Sequence, residues 1–160
     1  MFLLEHKERA CLALELAQRE VVHLTYTHRT LFSQAIDLQW VELLKEQEEL
    51  SEKIDAFVSR FGRLQDHIGE KLIPRFAALL GESPKSLLDV LAYAEKMGWI
   101  ENAEVFISAR KLRNLLVHEY LIDAKLFLDA LQATNKATLM LIDIVNKISQ
   151  HSKTIGLIDG

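Results

Sequence analysis

The sequence predicts an all-α fold, a single-domain helical bundle of about five helices. Apolar residues make up 49 % of the 160 residues, and through most of the chain they recur at helical spacing. Glycine and proline, which interrupt helices, number only six and two. No segment has the alternating pattern of a strand, and a chain of this length can bury one core. We expect the bundle to cover residues 1–150, and residues 151–160, which lack periodicity, to form a disordered tail.

The first two predicted helices are long. Apolar spacing predicts a helix over residues 4–24, and the β-branched stretch 25–30 is expected to fray or turn. A second segment keeps the helical period from about residue 38 onward for many turns. It contains Gly62, where a kink or close packing is expected, and Pro74, which would kink the segment or open a new helix.

Capping residues predict where the third and fifth helices begin, and apolar spacing predicts the fourth. Ser83 as N-cap, with Pro84 at the first helical position, predicts the start of the third helix. Residues 102–120 carry apolar residues at helical spacing and predict the fourth helix. Asp123 is a favourable N-cap for the fifth helix, which we expect over residues 124–149.

Charge and cysteine content narrow the function classes. The net charge of −4 argues against a protein that coats nucleic acid with its whole surface, so any contact with RNA must come from a local patch. The single cysteine, Cys11, permits no intrachain disulfide and fits a reducing cytosol. No apolar run approaches the length that spans a bilayer. We therefore expect a cytoplasmic protein that does not enter a membrane.

One potential metal motif is set aside. Glu20 and His23 have the Glu-x-x-His spacing of carboxylate-bridged di-iron bundles, but such bundles need two copies and two more glutamates. There is also no glycine-rich phosphate loop and no nucleophile elbow. We interpret Glu20 and His23 as part of a solvated helix face, and we expect no metal site and no cofactor in this chain.

A cluster of chemically useful side chains lies near the end of the fourth helix. Arg113 is followed directly by Asn114, His118 comes after four intervening residues, and Tyr120 two positions later. Arginine stays charged and matches phosphate oxygens, and imidazole exchanges protons near neutral pH. Asparagine can orient an imidazole or donate to phosphate. These groups suit metal-independent RNA cleavage, in which the 2′-hydroxyl attacks the adjacent phosphate.

The spacing on a helix complicates this site. Asn114 and His118 lie about 40° apart on an ideal helix, whereas Arg113 and His118 lie about 140° apart. The helix end could distort, Arg113 could reach around, or a second subunit could complete the site. We favour a second subunit that pairs this helix about a two-fold axis. Arg110 and Lys111, one turn or less upstream, are candidate RNA-binding residues.

Residues 113–120 resemble the Arg-x4-His-x-Tyr motif of the HEPN superfamily, in the form found in HepT-like toxins that pair with a minimal nucleotidyltransferase (MNT) antitoxin. The resemblance implies a homodimeric, metal-independent endoribonuclease with a HEPN-like bundle over residues 1–150. It makes Arg113 and His118 catalytic and Asn114 the polar residue that accompanies the arginine. It makes Tyr120 the target of adenylylation by the antitoxin, so that ATP and magnesium belong to the partner and not to this chain.

Two other functions fit the same residues. The chain could be a non-catalytic helical substrate-binding subunit of a nucleotidyltransferase, or a dimeric scaffold with no enzyme partner. Arg60 and His67 also satisfy a loose arginine–histidine pattern, which alone is weak. On these alternatives, Arg113 and His118 are surface residues of a packed helix, and Tyr120 covers the core.

Overall fold

The computed structural model describes residues 1–120 and 122–159, and in this part of the chain it is all-α, without a strand. These residues form a bundle of six helices, one more than the approximate count that the sequence predicts. They are α1 (Lys7–Leu31), α2 (Leu38–Leu43), α3 (residues 48–79), α4 (Leu87–Lys96), α5 (Ala103–Glu119) and α6 (Ala124–Thr154).

Helix α1 continues to Leu31, through the stretch where the sequence predicted fraying. Leu24 and Leu31 are fully buried and Thr27 nearly so. The Thr27 hydroxyl donates to the carbonyl of His23, four residues earlier, at 3.2 Å, which is how a helical threonine satisfies its side chain. Burial of this face outweighs the few tenths of a kcal/mol per residue that β-branching costs in a helix.

The additional helix is α2, because the long second segment of the sequence is divided in two. Asp37 caps α2 by accepting a hydrogen bond from the backbone nitrogen of Trp40 at 2.8 Å. A short 3-10 turn, Leu44–Glu46, follows. Gln47 then has extended backbone angles, so the chain leaves the helical path and begins again in α3.

Helix α3 accommodates Pro74 through a π-helical turn. The helix is α-helical over Glu48–His67, forms the π turn over Ile68–Leu72 and resumes as α-helix over Ile73–Leu79. Proline lacks an amide hydrogen, and its ring conflicts with the carbonyl four residues earlier. The wider π turn, which ends two residues before Pro74, relieves that conflict, and the helix continues past the proline.

Helix α4 begins three residues later than the sequence predicted. Ser86, and not Ser83, is its N-cap: the Ser86 hydroxyl accepts from the backbone of Asp89 at 3.1 Å, and the Asp89 carboxylate accepts in return at 3.4 Å. Ser86 has an acidic residue three positions later, which completes this reciprocal capping box, whereas Ser83 does not. Pro84 therefore precedes the helix.

The C-terminal residues differ from the expected disordered tail. Helix α6 continues to Thr154, Ser152 is fully buried, and the side chain of Leu157 is 5 % exposed. Gly156, at φ 77°, turns the chain so that Leu157 packs on the bundle. A helix end followed by a left-handed glycine has no periodic pattern, so periodicity alone does not reveal this packing. Gly160 lies outside the described residues.

The buried residues of all these helices form one core. Helix α5 contacts both α6 and the long α3, so its apolar side faces the bundle and its polar side faces outward. In the residues that the structure describes, no helix combines the length and apolarity needed to cross a membrane. The motif residues of the sequence lie at the C-terminal end of α5, next to α3.

Candidate active site

The motif helix is regular up to its end. Asn102 caps α5 by accepting from the backbone nitrogen of Val105 at 3.1 Å, and the helix continues through His118 to Glu119. Tyr120 leaves the helical path, with φ −57° and ψ 122°. The distortion therefore comes after His118, and Arg113 and His118 keep the different helical directions that the spacing predicts.

Arg113 is directed at α3. Its Nη1 donates to both carboxylate oxygens of Asp66, at 3.0 and 2.9 Å. The two side chains are 38 % and 36 % exposed, so the ion pair lies at the edge of the bundle. A charge-assisted contact to both oxygens fixes the orientation of the guanidinium, and its other nitrogens remain as donors.

Gly62 makes room for this guanidinium. A Cβ atom at Gly62 would lie 2.5 Å from Nε and 2.9 Å from Cζ of Arg113, closer than real Cβ atoms approach. Gly62 and Asp66 are one turn apart and share a face of α3. Helix α3 thus provides both features that place the guanidinium: Gly62 has no side chain to block it, and Asp66 places a carboxylate beside it. The sequence predicts a kink or close packing at Gly62, and the structure has the close packing, but nothing in the sequence indicates Asp66.

Asn114 and His118 lie on the outer side of α5. Both side chains are exposed, and their four-residue spacing places them on one face of this regular helix. They are accessible to a ligand or to another protein chain. The structure therefore brings Asn114 and His118 together and places Arg113 on a different side of the helix.

Tyr120 packs against the core and also lines a surface groove. Its hydroxyl hydrogen-bonds to Oγ of Ser51, and its ring centroid lies 5.4 Å from that of Phe127. Tyr120 and Arg113 also line the same groove of about 300 Å³, together with Val117. The pairing of Arg113 with Tyr120 on one side agrees with the helical angles.

Arg110 and Lys111 continue the site on the other side of Arg113. Both are exposed, and both line a second groove of about 320 Å³, together with Arg113 and Asn114. Arg113 thus lies between two grooves. The groove that it shares with Asn114 contains Arg110 and Lys111 beside the paired Arg113, and these two cations form the local positive patch that a chain of net negative charge would need to bind phosphate.

The second arginine–histidine pair of the sequence has a different position. Nη1 of Arg60 donates to the carbonyl of His23 at 3.2 Å, and Nε2 of His67 donates to the carbonyl of Ala13 at 2.7 Å. Both bonds join α3 to α1 and use the polar atoms of these side chains in packing. The loose pattern at Arg60 and His67 is therefore explained by the contact between two helices.

Glu20 is also engaged elsewhere, since its carboxylate accepts from Nε of Arg63 at 3.2 Å. Within residues 1–120 and 122–159, no three histidine, cysteine or acidic side chains are grouped closely enough to hold a metal ion. Comparison of the chain with protein-family models, with curated proteins and with solved structures gives no match in any of the three.

Proposed function

We propose that this chain is a cytoplasmic, homodimeric and metal-independent endoribonuclease, the toxin of a HEPN/MNT toxin–antitoxin pair. The observation that carries the proposal is the division of the motif around α5. Arg113 is oriented by Asp66 in a groove, whereas Asn114 and His118 are exposed on another face of the same helix. Each copy thus presents its motif residues on two different faces of α5, and this arrangement suits a catalytic centre that two copies complete.

In the proposed reaction, His118 of one copy removes the proton from a 2′-hydroxyl of RNA. The 2′-oxygen forms a bond to the adjacent phosphorus, and the bond from phosphorus to the 5′-oxygen breaks. His118 of the second copy gives a proton to that departing oxygen, so the products are a 2′,3′-cyclic phosphate and a 5′-hydroxyl. Arg113 stabilises the charge of the pentacovalent phosphorus, and Asn114 orients the imidazole.

Asp66 acts in this scheme as a positioning residue. It holds the Arg113 guanidinium through Nη1 and leaves the other nitrogens to face the substrate. Arg110 and Lys111, which share a groove with Arg113, contact neighbouring phosphates. The protein therefore needs no metal of its own for this chemistry, because fixed cations take the place of a Lewis acid.

Tyr120 is the proposed point of regulation. An MNT antitoxin with bound ATP and magnesium would transfer AMP to it: the phenolic oxygen bonds to the α-phosphorus, and pyrophosphate leaves. The hydroxyl must first give up its hydrogen bond to Ser51. The added nucleotide brings bulk and negative charge into the groove that Tyr120 shares with Arg113, and both effects oppose the entry of an RNA phosphate.

Expression of the wild type beside His118→Ala tests the proposal. We expect the wild type to stop growth and to cleave RNA in vitro in the presence of EDTA, and we expect His118→Ala to do neither. His23→Ala, which removes an exposed histidine on α1, is the matched control and should behave as wild type. If the wild type leaves growth and RNA intact, the toxin proposal fails.

A second candidate function is a non-catalytic subunit that presents substrates to a nucleotidyltransferase. The contacts of Arg113 with Asp66 and of Tyr120 with Ser51 favour it, because they also have a purely structural use. This function predicts stable binding of the partner by Arg113→Ala and His118→Ala, and no RNA cleavage by the wild type. Co-purification with the partner, together with the cleavage assay, separates the two functions.

A further inference from the structure

A cavity of about 450 Å³ lies beside the candidate site, between α3, the start of α4 and α5. Its volume is in the range of small-molecule binding sites. Arg110 and Leu87 line this cavity and also the groove that contains Arg113 and Asn114. The cavity is therefore continuous with the proposed catalytic groove and not a separate site on another face.

Gln65 is the unusual residue of the cavity wall. Its side chain is 1 % exposed, and neither Nε2 nor Oε1 has a hydrogen-bond partner in the part of the chain that the structure describes. A buried amide with both ends unsatisfied is unfavourable, and such groups in native proteins usually have a reason. Neither atom is accessible to solvent, so a ligand that offers one acceptor and one donor side by side satisfies both ends once the amide turns into the cavity.

The rest of the wall suits a flat, neutral ring attached to an anion. Pro74, Pro84 and Val90 supply apolar surface for a ring face. Lys85 and Arg110 supply two cations at the rim, where both side chains are exposed. A nucleobase next to a phosphate has this combination of properties.

The two carboxylates that line the cavity are also consistent with a nucleobase as the ligand. Asp66 is neutralised by its ion pair with Arg113, which leaves Glu70 as the unpaired carboxylate among the described residues that line the cavity. A carboxylate can accept a hydrogen bond from the exocyclic amine of a base. The two cations Lys85 and Arg110 therefore exceed the one remaining carboxylate, Glu70, and this surplus positive charge suits the phosphates that flank a base.

Basic residues continue beyond the cavity. A third groove, of about 280 Å³, shares Glu70 and Pro74 with the cavity, and Arg9, Lys71 and Arg75 line it. Three neighbouring depressions therefore form one path across the protein, and cations line each of them. A path of this kind follows the backbone of a single strand.

We propose that the cavity binds one unpaired nucleobase of the substrate RNA. Gln65 hydrogen-bonds the edge of the base, and Lys85 and Arg110 contact the phosphates on either side of it. The inference rests on the proposed function, because a strand with its scissile phosphate at Arg113 would pass over this cavity. Proteins that recognise RNA sequence commonly bind such splayed bases in single-stranded segments.

Binding by the His118→Ala protein tests this inference without any need for cleavage. Fluorescence anisotropy would measure its affinity for hexamers of A, C, G and U, and for a copy of the tightest hexamer that lacks one base. We expect one base to bind roughly tenfold tighter than the others, and the abasic copy to lose a similar factor. Equal affinity for all hexamers, or no loss for the abasic copy, would overturn the inference.

Gln65→Met in the same His118→Ala background removes the amide and keeps the length of the side chain. We expect the base preference to fall to within about threefold while weak binding persists, because the cations remain. The melting temperature should stay or rise, since an apolar group replaces an unsatisfied buried amide. An unchanged base preference in this variant contradicts the role of Gln65.

Lys85→Gln gives an independent result at the rim, with Lys96→Gln at the other end of α4 as the matched control. We expect Lys85→Gln to weaken the binding of all hexamers several-fold. It should also lower the slope of log affinity against log salt concentration by about one, and Lys96→Gln should change neither quantity. Equal effects of Lys85→Gln and Lys96→Gln would contradict the proposed course of the strand past Lys85. Free nucleoside monophosphates should compete only weakly, and their binding in the absence of any hexamer binding would overturn a strand site.

The two proposals fail separately. If His118→Ala binds one base selectively but the wild type cleaves no RNA, the proposed catalysis is wrong and the base site stands. If the wild type cleaves RNA but Gln65→Met changes neither selectivity nor the cleavage position, the base site is wrong and the proposed catalysis stands.

Discussion

Arg113 and Asp66 form a contact between two helices in which Nη1 donates to both carboxylate oxygens, at 3.0 and 2.9 Å. The contact decides which way the motif arginine points. It directs the guanidinium into the space left by Gly62 and not along the face of α5 that carries His118. Any function of the motif must therefore use Arg113 from the α3 side of the helix.

Asp66→Asn should reduce RNA cleavage by about tenfold or more, since a neutral amide holds the guanidinium less firmly. The loss should appear mainly in kcat, because Arg113 itself is still present to contact the substrate. Both partners are more than a third exposed, so the unfolding free energy should change by less than about 1 kcal/mol. Steady-state cleavage of a fluorogenic oligonucleotide and urea denaturation measure the two effects.

Asp143→Asn is the matched control, because it breaks an exposed ion pair with Lys147 on α6. It should leave cleavage unchanged. A loss of the same size in Asp143→Asn, or full activity in Asp66→Asn, would show that the contact with Arg113 does not position the arginine.

Gly62→Ala should abolish most of the cleavage while the protein remains folded. The added methyl group would lie 2.5 Å from Nε of Arg113, so the guanidinium must leave its place beside Asp66. Alanine favours a helix over glycine by up to about 1 kcal/mol, which offsets part of the cost of that displacement. The cleavage rate and the melting temperature of the same preparation provide the measurement.

A double variant separates this clash from other effects of the substitution. In an Arg113→Ala background the guanidinium is absent, so Gly62→Ala should raise the melting temperature by the helical preference alone. If Gly62→Ala destabilises the Arg113→Ala protein as much as the wild type, the close approach to Arg113 is not the cause.

Local patterns and long-range contacts were not equally predictable from the sequence. The all-helical class and the N-cap Asp123 follow from residues close together in the sequence, and the structure has that cap; the start of α5 near residue 102 follows from apolar spacing. The Ser83-Pro84 pair predicts a helix start at Ser83, but the reciprocal bonds of Ser86 and Asp89 make Ser86 the N-cap of α4. The capping-box pattern, a serine with an acidic residue three positions later, is also local, and it identifies Ser86 as the N-cap.

In the candidate site, too, the sequence predicts the local geometry but not the long-range contacts. The different directions of Arg113 and His118 follow from helical geometry, and the regular α5 keeps them. The partner of Arg113 does not follow, because Asp66 is 47 residues away and no periodic pattern links the two. The unsatisfied amide of Gln65 was equally hidden, since its burial depends on how α3 packs against α4 and α5.

Tyr120→Phe should separate stability from modification. It removes the hydroxyl that bonds to Ser51 and keeps the ring against Phe127, so the unfolding free energy should fall by about 1 kcal/mol. RNA cleavage should persist, and incubation with an MNT antitoxin and ATP should no longer add AMP. Denaturation and intact-protein mass spectrometry give the two measurements.

Ser51→Ala and Tyr26→Phe provide the comparison. Ser51→Ala breaks the same hydrogen bond but leaves the Tyr120 hydroxyl in place, so labelling should be at least as fast as in the wild type. Tyr26 is 58 % exposed on α1, and its change to phenylalanine should affect neither stability nor labelling. Equal labelling of Tyr120→Phe and the wild type would assign the modification to another residue.

Dilution should abolish cleavage if two copies complete the site. The specific activity should fall in parallel with the dimer fraction measured by light scattering, because a monomer contains one His118 and the reaction uses two. Val117 is 57 % exposed beside His118, and Val117→Gln should shift both curves to higher protein concentration. Val22→Gln, at a 66 % exposed valine of α1, should leave both curves in place. Full specific activity at a concentration where light scattering gives only monomer would rule out a shared site, and Arg113 and His118 of one chain would then have to act together despite their different directions on α5.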